Sequence, residues 1–236
     1  MENSKKKYFA YNENSILISY KNQIDAKLIQ EISSSKKNIE SNLNKFIFEI
    51  VQSINSLLII FDRSIISSDD LIRELKKIEN IENDYINQKK IWQIPVCYDL
   101  KFGVDLENLA KEKQLQISEI IKMHKSRTYN VLSMGFMPGF MYLGFINENL
   151  SCERKLNPSL NIKKGSIGVA LNQTCIYPKD SPGGWHIIGR SPLNFFNLKS
   201  NRPSFASPGD KIQFIEISNE QFESMVKKNK TKPKQV

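Results

Sequence analysis

The residues able to do chemistry in this 236-residue chain crowd into one stretch, from Tyr129 to Arg190. It contains Gly135-Phe136-Met137-Pro138-Gly139-Phe140-Met141-Tyr142-Leu143-Gly144. It ends with Tyr177-Pro178-Lys179-Asp180-Ser181-Pro182-Gly183-Gly184-Trp185-His186-Ile187-Ile188-Gly189-Arg190. Glycine admits positive φ and close backbone approach, while proline fixes φ and removes a donor. Alternating with large aromatics, such residues predict shaped loops with aromatic walls, as in many ligand and partner clefts. The plainer alternative is two tight turns whose aromatics fill local core.

Cations and hydroxyls flank both motifs. Arg154 and Lys155 follow the first, and Arg190 closes the second. An arginine fork suits carboxylates and phosphates, although such residues also make ordinary surface ion pairs. Tyr129, Tyr142, Thr174, Tyr177 and Ser181 can donate hydrogen bonds into the same region. The set suits a small anionic substrate or a groove for a partner's loop. The expected arrangement sets Pro138-Gly139 against Pro182-Gly183-Gly184 across a barrel mouth. Phe136, Tyr142 and Trp185 would then wall the cleft. Arg190, Arg154, His124, Tyr129, Thr174 and Tyr177 would line it.

Catalytic residues stay unassigned. The two histidines, His124 and His186, lie outside any Gly-x-Ser-x-Gly context, and no cysteine carries a catalytic signature. No spacing of His, Cys or carboxylates suggests a metal site. No phosphate-binding or dinucleotide fingerprint occurs, so ATP in any coupled reaction is expected to bind elsewhere.

The elements that must position these residues read as two domains. Residues 1–88 alternate as ββαββα, a small α+β sandwich with both helices on one sheet face. The helices follow the spacing of Ile24, Leu28, Ile32 and Ile39 and a cap at Ser68-Asp69-Asp70. A boundary is expected near Ile81–Ile91. Residues 89–222 hold a strand at Ile91–Tyr98, helices opened by Asp105 and Ser118, and many short strands. Those strands, punctuated by Gly and Pro, predict a closed or nearly closed β-barrel. Residues 223–236 read as a basic, disordered tail. The net charge of +9 sits largely in terminal lysines, apart from the aromatics, which argues against nucleic-acid binding. No run of about 18 apolar residues predicts a membrane span. The basic N-terminus does not resemble a secretory signal. Three widely spaced cysteines predict free thiols in a reducing, cytoplasmic setting.

Three motifs together resemble the family of the bacterial 5-oxoprolinase B subunit. They are Tyr129-x5-Gly135-Phe136-x-Pro138-Gly139-Phe140-x-Tyr142-Leu143, Thr174-x-Ile176-Tyr177-Pro178-x3-Pro182-Gly183-Gly184-Trp185-x-Ile187-Ile188-Gly189-Arg190, and Pro208-Gly209-Asp210-x-Ile212-x-Phe214. Ile94-Pro95-Val96-x-Tyr98 and His124 fit the same pattern. The family also includes the kinase-A inhibitor of sporulating bacteria and the subunit-1 part of allophanate-hydrolase and urea-carboxylase proteins. The resemblance implies an N-terminal α/β domain followed by a cyclophilin-like β-barrel. It implies companion A and C subunits, and ATP-dependent cleavage of 5-oxo-L-proline to L-glutamate. No cofactor is expected on this chain, which should be inactive alone. The family also admits a regulator that inhibits a sensor histidine kinase, or half of a biotin-dependent carboxyltransferase.

Overall fold

The computed structural model describes residues 6–20, 24–78, 90–228 and 233–236. Contacts divide the chain into two compact units, Met1–Gln88 and Lys89–Val236. The expected boundary near Ile81–Ile91 falls mostly outside the described residues.

The first unit is a mixed α/β layer pair. Strands β1 (Lys7–Asn12) and β2 (Ser15–Ser19) form a hairpin. At its turn, the Asn12 side-chain carbonyl accepts from the Asn14 N–H and the Ser15 hydroxyl. Helix α1 (Ala26–Leu43) starts where Asp25 accepts from the Leu28 N–H at 2.7 Å. Strands β3 (Ile47–Gln52) and β4 (Ser56–Phe61) complete a four-stranded sheet in the order β1-β2-β4-β3. Helix α2 (Ser68–Ile78) is capped one residue earlier than expected, because Ser67 Oγ accepts from the Asp70 N–H. Leu28, Ile32 and Ile39 of α1 and Leu71 and Leu75 of α2 meet Ile16, Leu57, Ile59 and Phe61 of the sheet in one core.

In the second unit, β5 (Ile91–Val96) pairs in parallel with β13 (Lys211–Glu216). Between them in sequence come helices α3 (Leu106–Lys113) and α4 (Ile117–Lys125), then β6 (Thr128–Met134) and β7 (Met141–Gly144). Next come β8 (Ser159–Ile162), β9 (Ser166–Ala170), β10 (Gln173–Ile176), β11 (Ser181–Gly183) and β12 (His186–Arg190). After β13 follow α5 (Asn219–Lys227) and β14 (Lys234–Gln235). The large sheet runs β12-β9-β10-β7-β6-β13-β5-β14, and β8 and β11 form a separate ribbon. A reciprocal backbone pair between Cys97 and Arg190, both N···O distances 2.9 Å, links β12 back to the end of β5. Side chains from β5, β6, β7, β9, β10, β12 and β13 converge on one core, so the sheet curls around it.

Several local expectations change. Ser118 does not open α4; Gln116 does, and the Glu119 carboxylate accepts the Gln116 N–H at 2.7 Å. Asp105 precedes α3, but its side chain makes no cap and turns elsewhere. The stretch 223–236 is not a disordered tail where it is described. Ser218 caps α5, whose Phe222 is buried, and β14 pairs with Trp92 and Gln93 of β5. No described helix is long and apolar enough to cross a membrane.

Candidate functional site

The central strands β9 and β10 are buried on both faces, and strand alternation sorts the motif residues. Along β7, Met141 and Leu143 enter the central core while Tyr142 faces the other way. Along β9, β10 and β12, Val169, Ile176 and Ile188 point inward; Ala170, Cys175 and Ile187 point outward. Outside, an aromatic layer forms from Phe140, Tyr142, Tyr177 and Trp185, with ring centroids 4.8–6.4 Å apart in tilted or edge-on pairs.

The first motif covers this layer through a tight turn. The Phe140 N–H donates to the Met137 carbonyl at 3.0 Å, and Gly139 sits at φ +85°, which favours glycine. Phe136 stands 66% exposed at φ +67°, its ring edge-on to Phe140. Pro138 and Pro182 are also exposed. From the second motif, Gly183 lets the chain approach Tyr177: a β-carbon there would lie 2.3 Å from the Tyr177 hydroxyl oxygen. Burial raises the Tyr177 pKa well above that of a free phenol. Burial also raises the Tyr142 phenol, a rise the Arg154 charge opposes. Arg154 is exposed, its guanidinium carbon 5.9 Å from the Trp185 ring centre. The Lys155 N–H donates to the Gly184 carbonyl at 2.7 Å and holds the two loops together.

His124, Tyr129 and Thr174 are not in this layer. All three are fully buried in the central core. Thr174 donates to the Gly168 carbonyl at 2.9 Å, so it accepts from His124 Nε2–H at 3.0 Å. His124 Nδ1 then accepts the Tyr98 hydroxyl at 2.8 Å, and Tyr129 donates to the His124 carbonyl at 2.6 Å. The imidazole stacks on Phe214 with centroids 4.7 Å apart. Burial pushes the His124 pKa down to about 3. This neutral, fully satisfied histidine is a structural group, which corrects its expected place in the cleft.

Arg190 lies in a third place. Its Nε donates to the Lys164 carbonyl at 2.8 Å, and its guanidinium stands beside the Phe102 and Phe222 rings. It faces α5 instead of the aromatic layer. The expected single cleft therefore resolves into an outer layer, a sealed core network and a separate arginine pocket. The two Gly-Pro motifs meet over the aromatic layer, where the Phe140 and Trp185 ring centres are 6.4 Å apart.

Two residues matter more than their sequence context suggested. The Asp105 carboxylate accepts from Lys155 Nζ at 2.9 Å and from the Ile187 N–H at 2.7 Å, and Lys155 also reaches Ser159 Oγ at 2.6 Å. Both charged side chains are only 14% exposed. This ion pair ties the start of α3, the loop after Arg154 and the second motif into one frame. Among the described residues, no group of three or more His, Cys, Asp or Glu side chains could hold a metal. Cys97, Cys152 and Cys175 are buried free thiols, and burial raises the pKa of each.

Residues 7–206 match the family model for the carboxyltransferase domain, subdomain C and D. The chain belongs to that family. Its relatives in the family include the B subunit of 5-oxoprolinase from Bacillus subtilis (strain 168). That protein is 40% identical over 147 residues, covering 62% of this chain and 61% of its own length. The 5-oxoprolinase B subunit of Haemophilus influenzae is 35% identical over 171 residues, covering 72% of this chain and 79% of its own. This second match places the chain within the group of 5-oxoprolinase B subunits. A solved K. lactis urea amidolyase shares the fold, with TM-score 0.77 at 19% identity, over 99% of this chain and 16% of that one.

Proposed function

We propose that this chain is the B subunit of an ATP-dependent 5-oxoprolinase, cleaving 5-oxo-L-proline to L-glutamate together with A and C subunits. The observation that carries this reading is the 35% identity spanning 79% of the H. influenzae protein. In this reading Met1–Gln88 is a small α/β sandwich domain and the unit from Lys89 is a cyclophilin-like β-barrel. The return of β12 onto β5 through Cys97 and Arg190 supports the barrel. The buried free thiols support a cytoplasmic setting.

The chemistry of the described residues suits a shaping and binding role. A nucleophile needs a base within reach, and His124 has both ring nitrogens committed to Tyr98 and Thr174. The thiols are buried, and their raised pKa values keep them protonated and poorly nucleophilic. ATP binding and the hydrolytic group then belong to a companion chain, and this chain alone is inactive. The test is glutamate release from 5-oxo-L-proline plus ATP, by the chain alone and with the A and C subunits added. The expected result is release only from the full mixture. Turnover by the purified chain alone, or an A–C mixture indifferent to this chain, would overturn the proposal.

A further inference from the structure

A cavity of about 330 Å³ opens between β12, the segment after it and α5. Its walls include Phe102, Lys164, Arg190, Phe222, Glu223 and Met225. Arg190 is held in place from several sides. Its Nε is bound to the Lys164 carbonyl, and its Cζ lies 6.0 and 5.9 Å from the Phe102 and Phe222 ring centres. The two rings are themselves packed, with centroids 4.3 Å apart. Among the described residues, the terminal guanidinium nitrogens make no hydrogen bond and no ion pair. The nearby acids, Asp180 and Glu223, act on Arg190 through their charge but make their contacts elsewhere. Glu223 pairs with Lys101 at 3.4 Å, and Asp180 accepts from Lys163 Nζ and the Lys164 N–H.

A half-buried guanidinium oriented by one nitrogen, with its other two making no hydrogen bond among the described residues, is a fork set to donate two parallel hydrogen bonds to an anion. Burial lowers the Arg190 pKa, the mark of a charge partly stripped of water. The cavity volume is near the small end for ligand sites. The Glu223 carboxylate in the wall disfavours a dianionic phosphate, and the mixed lining, with Phe102, Phe222 and Met225 beside Arg190 and Lys164, suits a monoanion with a compact body.

We infer that this cavity binds the carboxylate of a small acid through the Arg190 fork. Taken with the oxoprolinase reading, on which this extension rests, the acid is 5-oxo-L-proline, whose lactam nitrogen carries no charge to be repelled by Arg190 and Lys164.

The experiment is calorimetric titration of the purified full chain with 5-oxo-L-proline and, separately, with acetate. Wild type should bind at least one of the two saturably. Arg190→Gln should weaken that binding about tenfold or more, and Arg190→Lys should fall between, because it keeps charge but loses the fork. Thermal melting checks that each variant is folded. Should Arg190→Gln fail to fold, Met225→Trp, which fills the cavity from α5, should abolish binding. No saturable binding by wild type, or equal affinity in a folded Arg190→Gln or Met225→Trp chain, overturns the inference. The two readings separate in the assembled complex. Turnover with an unchanged KM in Arg190→Gln removes the site but keeps the oxoprolinase. Arg190-dependent acetate binding without 5-oxo-L-proline turnover keeps the site and removes that substrate.

Discussion

His124 and Arg190 both belong to the motif pattern of this chain, yet their surroundings are opposite. His124 rises from α4 into the core ringed by seven strands, where Tyr98, Thr174 and Phe214 surround it and protein groups occupy both ring nitrogens. Arg190 ends β12 half-buried at the wall of a cavity, with only its Nε hydrogen-bonded among the described residues. The difference is one of satisfaction. A buried polar group whose partners are all protein stabilises the fold, and one with spare donors facing a cavity is available to a ligand.

The largest effect is expected at His124. His124→Ala would leave the Tyr98 hydroxyl without its acceptor and open a void against Phe214. The expected loss is about 3–5 kcal/mol in denaturant unfolding. A loss near zero would mean the network is not sealed.

Acid should produce the next largest effect. The folded pKa of about 3 lies below the ordinary value of 6.5, so the unfolded chain holds more protons between those limits. Stability from this group is complete above the unfolded value and falls as pH drops through the window, by up to about 1.4 kcal/mol per pH unit. A folded His124→Gln chain should lack this part of the slope. Parallel curves for the two proteins would contradict the assignment.

Gly183→Ala probes the outer layer. The new β-carbon would press on the Tyr177 hydroxyl and on Ile162 Cδ1 at 2.9 Å, costing about 1–3 kcal/mol and altering Trp185 fluorescence. The smallest effect should come from Arg154→Ala. That exposed side chain stands over Trp185, and its removal should change stability by no more than about 0.5 kcal/mol.

Local signals carried the regular elements into view and failed where partners are distant in sequence. The 3.6-residue spacing of Leu28 and Ile32, and of Leu71 and Leu75, marks faces that the helices bury. The motif residues Met141–Gly144 read as loop because Gly and Pro surround them, although they form β7 between β6 and β10. Helix α5 had a readable signal, Ser218 three residues before Gln221 with Phe222 next, hidden among the lysines of the C-terminal segment. Asp105 gave no such sign. Its partners Lys155 and Ile187 are 50 and 82 residues away, so only the fold reveals why it is not a helix cap. For His124, Thr174 and Arg190, motif membership was legible but the face each residue takes was not. Strand register and the curl of the sheet decide that, and both are nonlocal.

The division between sealed core and open pocket is tested most directly by NMR of the His124 imidazole nitrogens between about pH 4 and pH 8. The fold requires a neutral ring with the proton on Nε2 throughout, unchanged by addition of 5-oxo-L-proline. A ring that titrates near its ordinary value, or whose signals move when ligand binds, would place His124 in the site and contradict the division.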